Sequence, residues 1–157
     1  MKYFLVVSIM LLITVGGMTM IETLSLEQLA HGADLVVKGR ITSVKPTGQL
    51  PEGPEVLACL CEVEETLKGD PKVGDNIKIK NYRGIEDYPE LTENASYIFF
   101  LKKAENHFEL FNGVQGCWPI DKDGRFQGMG YGKSIDQIKA VLQSIPLKQP
   151  RFEPLTF

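Results

Sequence analysis

Residues 33–44, Ala33-Asp-Leu-Val-Val-Lys-Gly-Arg-Ile-Thr-Ser-Val44, alternate between inward-facing apolar and outward-facing polar side chains. Leu35, Val37 and Ile41 share one face of an extended chain. The other face carries the polar side chains of Lys38, Arg40 and Thr42. This period of two predicts a half-buried β-strand. Gly39 falls in the inward row, where glycine often marks a sharp bend or a close backbone approach, as at a barrel corner.

The same alternation continues along the chain. A long second strand is predicted from Val56 to Leu67, and shorter strands are predicted over residues 77–80, 95–102, 107–111 and 116–121. The segment 95–102 is apolar on both faces, which indicates a central strand covered on each side. Residues 45–54 are predicted to form a loop from their composition, and residues 82–91 a looser segment.

Two capping boxes predict a helix near each end of this strand-rich region. Ser25 and Gln28 begin a short helix, and Ser134 and Gln137 begin a longer one that carries an apolar stripe and ends at Pro146. The fold class is therefore mainly β, a small antiparallel Greek-key (OB-like) barrel with a short N-terminal helix and a C-terminal helix. A flat sandwich of similar strand number is the alternative.

The 157 residues fit one domain, and their N-terminus predicts export. Lys2 precedes an apolar run from Phe4 to Val15, and small residues follow, as in a secretory signal. We expect a signal peptide over residues 1–20, a barrel domain with its C-terminal helix over 21–145 and a Pro-rich tail over 146–157. Because apolar residues continue past Gly17, an uncleaved membrane anchor is the alternative. The protein is expected to be secreted or in the cell envelope.

The net charge of −3 argues against a nucleic-acid partner, because such binders usually present a basic face. Contact with a membrane is expected only through an uncleaved N-terminal segment. The expected partner is an extracellular or cell-envelope protein.

Five short stretches occur in an order that resembles a group of exported bacterial OB-like domains, distantly similar to netrin-like modules and tissue inhibitors of metalloproteinases. The stretches are 33–40, 63–70, 74–79, 97–101 and 116–120. The resemblance covers roughly residues 25–122 and implies a barrel and an exported location. Those inhibitors bind the protease zinc through an N-terminal cysteine, whereas Cys59 and Cys61 here lie inside a predicted strand. The resemblance therefore does not imply the inhibitory activity, because the cysteine that provides it has no counterpart here.

Catalytic motifs are missing from the sequence. His31 and His107 are the two histidines, and neither lies beside a serine or cysteine in a nucleophile motif. We therefore predict a protein that is not an enzyme and that needs no cofactor.

Three cysteines leave room for one internal disulfide at most. Cys59 and Cys61 share a strand face, and Cys117 lies far along the chain. In an oxidising compartment we expect Cys117 to pair with one of the other two. A thiol or soft-metal site that uses all three is the alternative.

A ligand-binding face is predicted from aromatic and basic residues in or near loops, where OB-type barrels often bind ligands. Trp118 is also a candidate for the core, because indole rings are usually buried. The leading functional prediction is an exported non-enzymatic binding or interaction module, with a metalloprotease-inhibitor-like protein and a thiol- or metal-handling protein as alternatives. The residues of the predicted face are Tyr82, Arg83, Tyr88, Trp118 and Tyr131.

Overall fold

The computed structural model describes residues 22–51 and 53–144. Six strands and two α-helices form this part of the chain, with single 3-10 turns at Gly113–Gly116 and Gly128–Gly130. The elements are α1 (Leu26–Gly32), β1 (Leu35–Gln49), β2 (Glu55–Lys68), β3 (Asn76–Arg83), β4 (Ser96–Lys103), β5 (Phe108–Leu110), β6 (Cys117–Pro119) and α2 (Ile135–Gln143).

Five of the strands close into a barrel. The order around the sheet is β1-β2-β3-β5-β4, and β4 pairs in turn with β1 to complete the ring. All of these pairs are antiparallel except β3 with β5, which run parallel at Ile79 and Phe108. β6 extends the sheet by pairing with β4 beyond the end of β5. The predicted OB-like barrel is confirmed.

Strand β4 contributes to two separate apolar cores. Tyr97, Phe99 and Leu101 point into the barrel, where they pack with inward residues of β1, β2 and β3. Ile98 and Phe100 point outward, into a second core formed with α1, α2 and Trp118. The prediction of a central strand covered on both sides is therefore confirmed.

Both capping boxes form as predicted and place the helices over the barrel wall. In each, the serine hydroxyl accepts the backbone N–H three residues ahead while that residue's glutamine accepts the serine N–H. The end of α1 is held by Lys68 of β2, whose ammonium group donates to the carbonyl oxygens of Ala30, His31 and Ala33. A cation suits this position because the last carbonyls of a helix carry partial negative charge.

Strand β1 is longer than its composition indicates. The prediction of a loop over 45–54 is wrong for residues 45–49, which pair with Glu55–Ala58 of β2 in a hairpin that projects beyond the barrel. Pro46 is accommodated because it lies on the open edge of the hairpin. The neighbouring outward N–H, that of Val44, donates to Glu93 at 2.9 Å. Because the register is regular from 43 to 46, the backbone nitrogen of Pro46, which carries no hydrogen, also points away from β2.

The close backbone approach expected at Gly39 is present in the structure. The register with β2 also shifts between Lys38 and Gly39, one of four such bulges or irregularities along this strand pair. A Cβ built on Gly39 would overlap the Sγ of Cys61. Glycine is thus required here by a close approach of two strands.

Several boundaries differ from the predicted ones. β3 continues through Tyr82 and Arg83, which were expected in a looser segment, and the strand predicted over 116–121 is shorter, Cys117–Pro119. The predicted signal peptide and the Pro-rich tail lie outside the described residues. Within the described part, every helix is too short or too polar to cross a membrane.

Candidate functional site

A small cleft lies at the end of β3, where Arg83 pairs with Glu55 near the tip of the projecting hairpin. It has a volume of about 220 Å³. Its walls come from β3 and the following turn, from the segment 88–91 and from one side chain of β2. The lining residues are Leu57, Asn81, Tyr82, Arg83, Gly84, Tyr88, Pro89, Glu90 and Leu91, and we call this site the β3 cleft.

Two tyrosines form the aromatic wall of the β3 cleft. Tyr82 and Tyr88 are half-buried, and their rings meet edge to face with centroids 4.9 Å apart. The Lys80 ammonium lies 5.4 Å from the centre of the Tyr82 ring. Burial raises the pKa of Tyr88, so its hydroxyl stays protonated at neutral pH and can donate a hydrogen bond. The wall is therefore an apolar surface with polar atoms at its rim.

Charges at the rim of the cleft are largely paired. The Arg83 guanidinium binds the Glu55 carboxylate across the β2–β3 pair, and the Lys80 ammonium lies 4.0 Å from Glu109. Arg83 is exposed, so this ion pair adds little to stability, but it neutralises the charge beside the cleft. Because both cations are paired and the Glu90 carboxylate also lines the cleft, the site disfavours a free anion.

Asn81 is the fully buried polar residue of the cleft wall. Its Nδ2 donates to the Pro89 carbonyl at 2.9 Å, which fixes the orientation of the amide. Its Oδ1 has no hydrogen-bond partner among the described residues and is shielded from solvent. Such an atom is unusual, since buried acceptors are nearly always satisfied.

Asn81 is absent from the predicted site, although the sequence contains a signal for it. Ile77 and Ile79 fall in the inward row of the third strand, and the same period places Asn81 inward as well. A polar residue in an inward row is the observation that would have found it.

The five residues of the predicted face do not form one surface. Tyr82, Arg83 and Tyr88 meet in the β3 cleft. Tyr131 is 79% exposed and lies beyond β6 in the chain. Tyr131 lines a different depression, together with Arg125 and residues at the start of α2. Only three of the five residues are therefore brought together.

Trp118 belongs to the second core. The residue is 3% exposed, its Nε1 donates to the Gln115 carbonyl at 2.9 Å, and its ring packs on Phe100 and Phe126. Gly130 lies so close to the indole that a Cβ there would come within 2.6 Å of the ring. Trp118 forms only part of the floor of a depression of about 650 Å³ between α1 and α2. Of the two predictions for this residue, the structure agrees with the core.

The three cysteines are buried free thiols in the barrel core, so the expected disulfide is not formed in the structure. Burial raises the pKa of Cys59 to about 11 and that of Cys61 to about 12, and it raises the pKa of Cys117 further. Thiols with such pKa values remain protonated and unreactive at neutral pH. Among the described residues, no cluster of three His, Cys, Asp or Glu side chains has a geometry that could hold a metal ion.

The two histidines lie outside the β3 cleft and make separate contacts. The Nε2 of His31 is 3.3 Å from the Ser144 hydroxyl, and the Nε2 of His107 is 3.2 Å from a Glu109 carboxylate oxygen. Both contacts are local to the surface, and neither histidine lines the cleft.

No protein-family model matches the chain, and no curated protein matches it either.

Proposed function

We propose that this protein is an exported, non-enzymatic binding module that holds a partner protein at the β3 cleft. Export is supported by the signal-like sequence of residues 1–20. Binding is supported by one observation above all, the Tyr82–Tyr88 pair beside the buried, unpartnered acceptor of Asn81. Protein interfaces concentrate their binding energy in pockets of this aromatic kind.

The size of the cleft favours a protein partner over a cofactor. Pockets for drug-sized ligands and cofactors usually have volumes of about 300–1,000 Å³. The β3 cleft, at about 220 Å³, is smaller than this range. It is large enough for one side chain, as expected for the anchor point of an interface.

Affinity capture from culture medium and cell-envelope extract tests the proposal. The immobilised protein should retain a partner that the variant Tyr82→Ala/Tyr88→Ala loses. The matched control is Tyr131→Ala, which removes an exposed tyrosine outside the cleft and should retain the same partner. A partner that binds the double variant as strongly as the unaltered protein would contradict the proposal.

Metalloprotease inhibition is the alternative that the distant similarity to netrin-like modules suggests, and the OB-like barrel is compatible with it. Incubation with a panel of secreted metalloproteases tests this alternative, and full protease activity at micromolar concentrations of the protein would remove it. A thiol- or metal-handling role is less favoured, because the raised pKa values leave the three thiols protonated.

A further inference from the structure

We propose that the β3 cleft takes an aromatic side chain that carries one hydrogen-bond donor, a tryptophan or tyrosine of the partner protein, and that Asn81 Oδ1 accepts that hydrogen bond. This inference rests on the proposed function and specifies the group that the cleft recognises.

The donor requirement follows from Asn81. Because its Nδ2 is committed to the Pro89 carbonyl, rotating the amide would place two oxygens against each other, so the free atom is the acceptor. Oδ1 has no partner among the described residues. An N–H or O–H group on the ligand satisfies it, whereas a ligand that offers only acceptors leaves it unpaired.

The aromatic requirement follows from the other walls. The cleft is lined by the edge-to-face pair of Tyr82 and Tyr88 together with the apolar side chains of Leu57 and Leu91. A flat ring packs on such surfaces in offset or edge-to-face contact. An aliphatic amide would satisfy Asn81 but would leave much of this apolar wall in contact with water.

Access to Asn81 requires a small movement of the cleft wall. Oδ1 is covered in the structure, so a donor reaches it only after a wall side chain shifts. Tyr88 lies on the irregular segment between β3 and β4, whereas Tyr82 is held within β3. Rotation of side chains at an interface on binding is common, and Tyr88 is the wall residue freer to rotate.

Two matched pairs of peptide probes test the inference on the unaltered protein. The first pair is acetyl-Gly-Trp-Gly-amide and the same peptide with 1-methyltryptophan, which lacks the indole N–H. The second pair contains tyrosine or phenylalanine in place of tryptophan. Titrations followed by the NMR resonances of the Asn81 side-chain amide and of Tyr88 measure the affinity of each probe.

The donor-bearing member of each pair should bind about five- to tenfold more tightly than its donor-free counterpart. Binding should also shift the Asn81 amide resonances. Equal affinities within both pairs, or shifts confined to residues outside the cleft, would overturn the inference. Because no variant is needed, misfolding cannot produce either result.

A variant then locates the acceptor. In Asn81→Leu the preference for donor-bearing probes should disappear, while Tyr131→Leu should preserve it. If partner capture depends on Tyr82 and Tyr88 but neither pair of probes shows a preference, the inference fails and the proposed function stands. If the probes bind as expected but capture is independent of the tyrosines, the proposed function fails instead.

Discussion

Gly39 of β1 and Cys61 of β2 are in direct contact inside the barrel, with the Cys61 Sγ in the place that a Cβ on residue 39 would occupy. The contact lies next to a bulge, one of four points at which the register of β1 with β2 shifts. The close approach of the two strands here therefore depends on two residues together, a glycine and a small buried thiol.

Replacing the glycine should destabilise the barrel. We expect Gly39→Ala to lower the free energy of unfolding by about 1–3 kcal/mol, because the new methyl group overpacks a closed core. Urea denaturation measures this change. The matched control is Gly48→Ala on the same strand, where a Cβ meets no atom within 4 Å and little change is expected.

A second substitution shows whether the contact is the cause. In the double variant Gly39→Ala/Cys61→Ala the loss should be clearly smaller than the sum of the two single losses, because the alanine at 61 removes the overlapping sulfur. Additive losses would mean that Gly39→Ala destabilises the protein through the backbone of the bulge and not through contact with Cys61.

The free thiols make a second prediction. Unfolding the purified protein in denaturant without a reducing agent should expose three reactive thiols to a thiol reagent, and the native protein should react slowly at neutral pH. A count of one would mean that Cys117 pairs with Cys59 or Cys61 after all. The measurement is a thiol titration before and after unfolding.

Stability should also fall in alkali because of these thiols. The unfolded chain ionises its thiols near the ordinary pKa of 9.0, whereas burial raises the pKa of Cys59 to about 11 and that of Cys61 to about 12. Above pH 9 the unfolded state therefore binds fewer protons than the native state, and the free energy of unfolding decreases as pH rises. The contribution is complete below pH 9 and is lost between about 9 and 12.

A variant separates the thiols from other groups that titrate in alkali. Urea denaturation of Cys59→Ala/Cys61→Ala over the same pH interval should show a shallower decrease than that of the unaltered protein. Parallel decreases would assign the effect to tyrosines and lysines. The comparison needs only the slopes, so the lower starting stability of the variant does not affect it.

Trp118 gives a further prediction, because it is the chain's one tryptophan. Its burial predicts fluorescence emission at short wavelength and little quenching by iodide in the native protein. Unfolding should shift the emission to longer wavelength and make it fully quenchable. Strong quenching of the native emission would instead place the indole on an exposed face.

Local patterns in the sequence predict most of this fold. Both capping boxes and the inward rows of β1, β2 and β4 are determined by residues within a few positions of one another, and they appear in the structure as expected. The close backbone approach at Gly39 is predicted for the same reason. The parallel pairing of β3 with β5 is not, because it depends on contacts between distant parts of the chain.

The candidate site is less predictable than the barrel. Tyr82, Arg83 and Tyr88 are grouped correctly because they are close in sequence, but Trp118 and Tyr131 are distant and lie elsewhere. Composition also misplaces the start of the first loop. Proline and glycine at 46 and 48 indicate a turn, yet the hairpin accepts them at an open edge and at a bulge.

The open edge of β1 at Pro46 gives a fifth prediction. β1 offers few free donors between 43 and 49, because Glu93 accepts the Val44 N–H and Pro46 has none to offer. Restoring both donors in Pro46→Thr/Glu93→Ala should let the edge pair with another chain. Sedimentation analysis should then show concentration-dependent association, while the single variant Glu93→Ala should associate less.

An unaltered monomer–oligomer distribution in the double variant would contradict this interpretation of the edge. In that case the twist of the projecting hairpin, and not its missing donors, would be what prevents pairing.

Because β4 is buried on both faces, the stability of the helical layer and that of the barrel depend on each other. If β4 slipped by one residue against its partners, the side chains of each core would move to the opposite face of the strand. Homologous chains should therefore tolerate insertions in the hairpin tip far more readily than anywhere along β4. The protein should melt as one unit, because Ile98 and Phe100 of β4 would be exposed to water if the helical layer separated first.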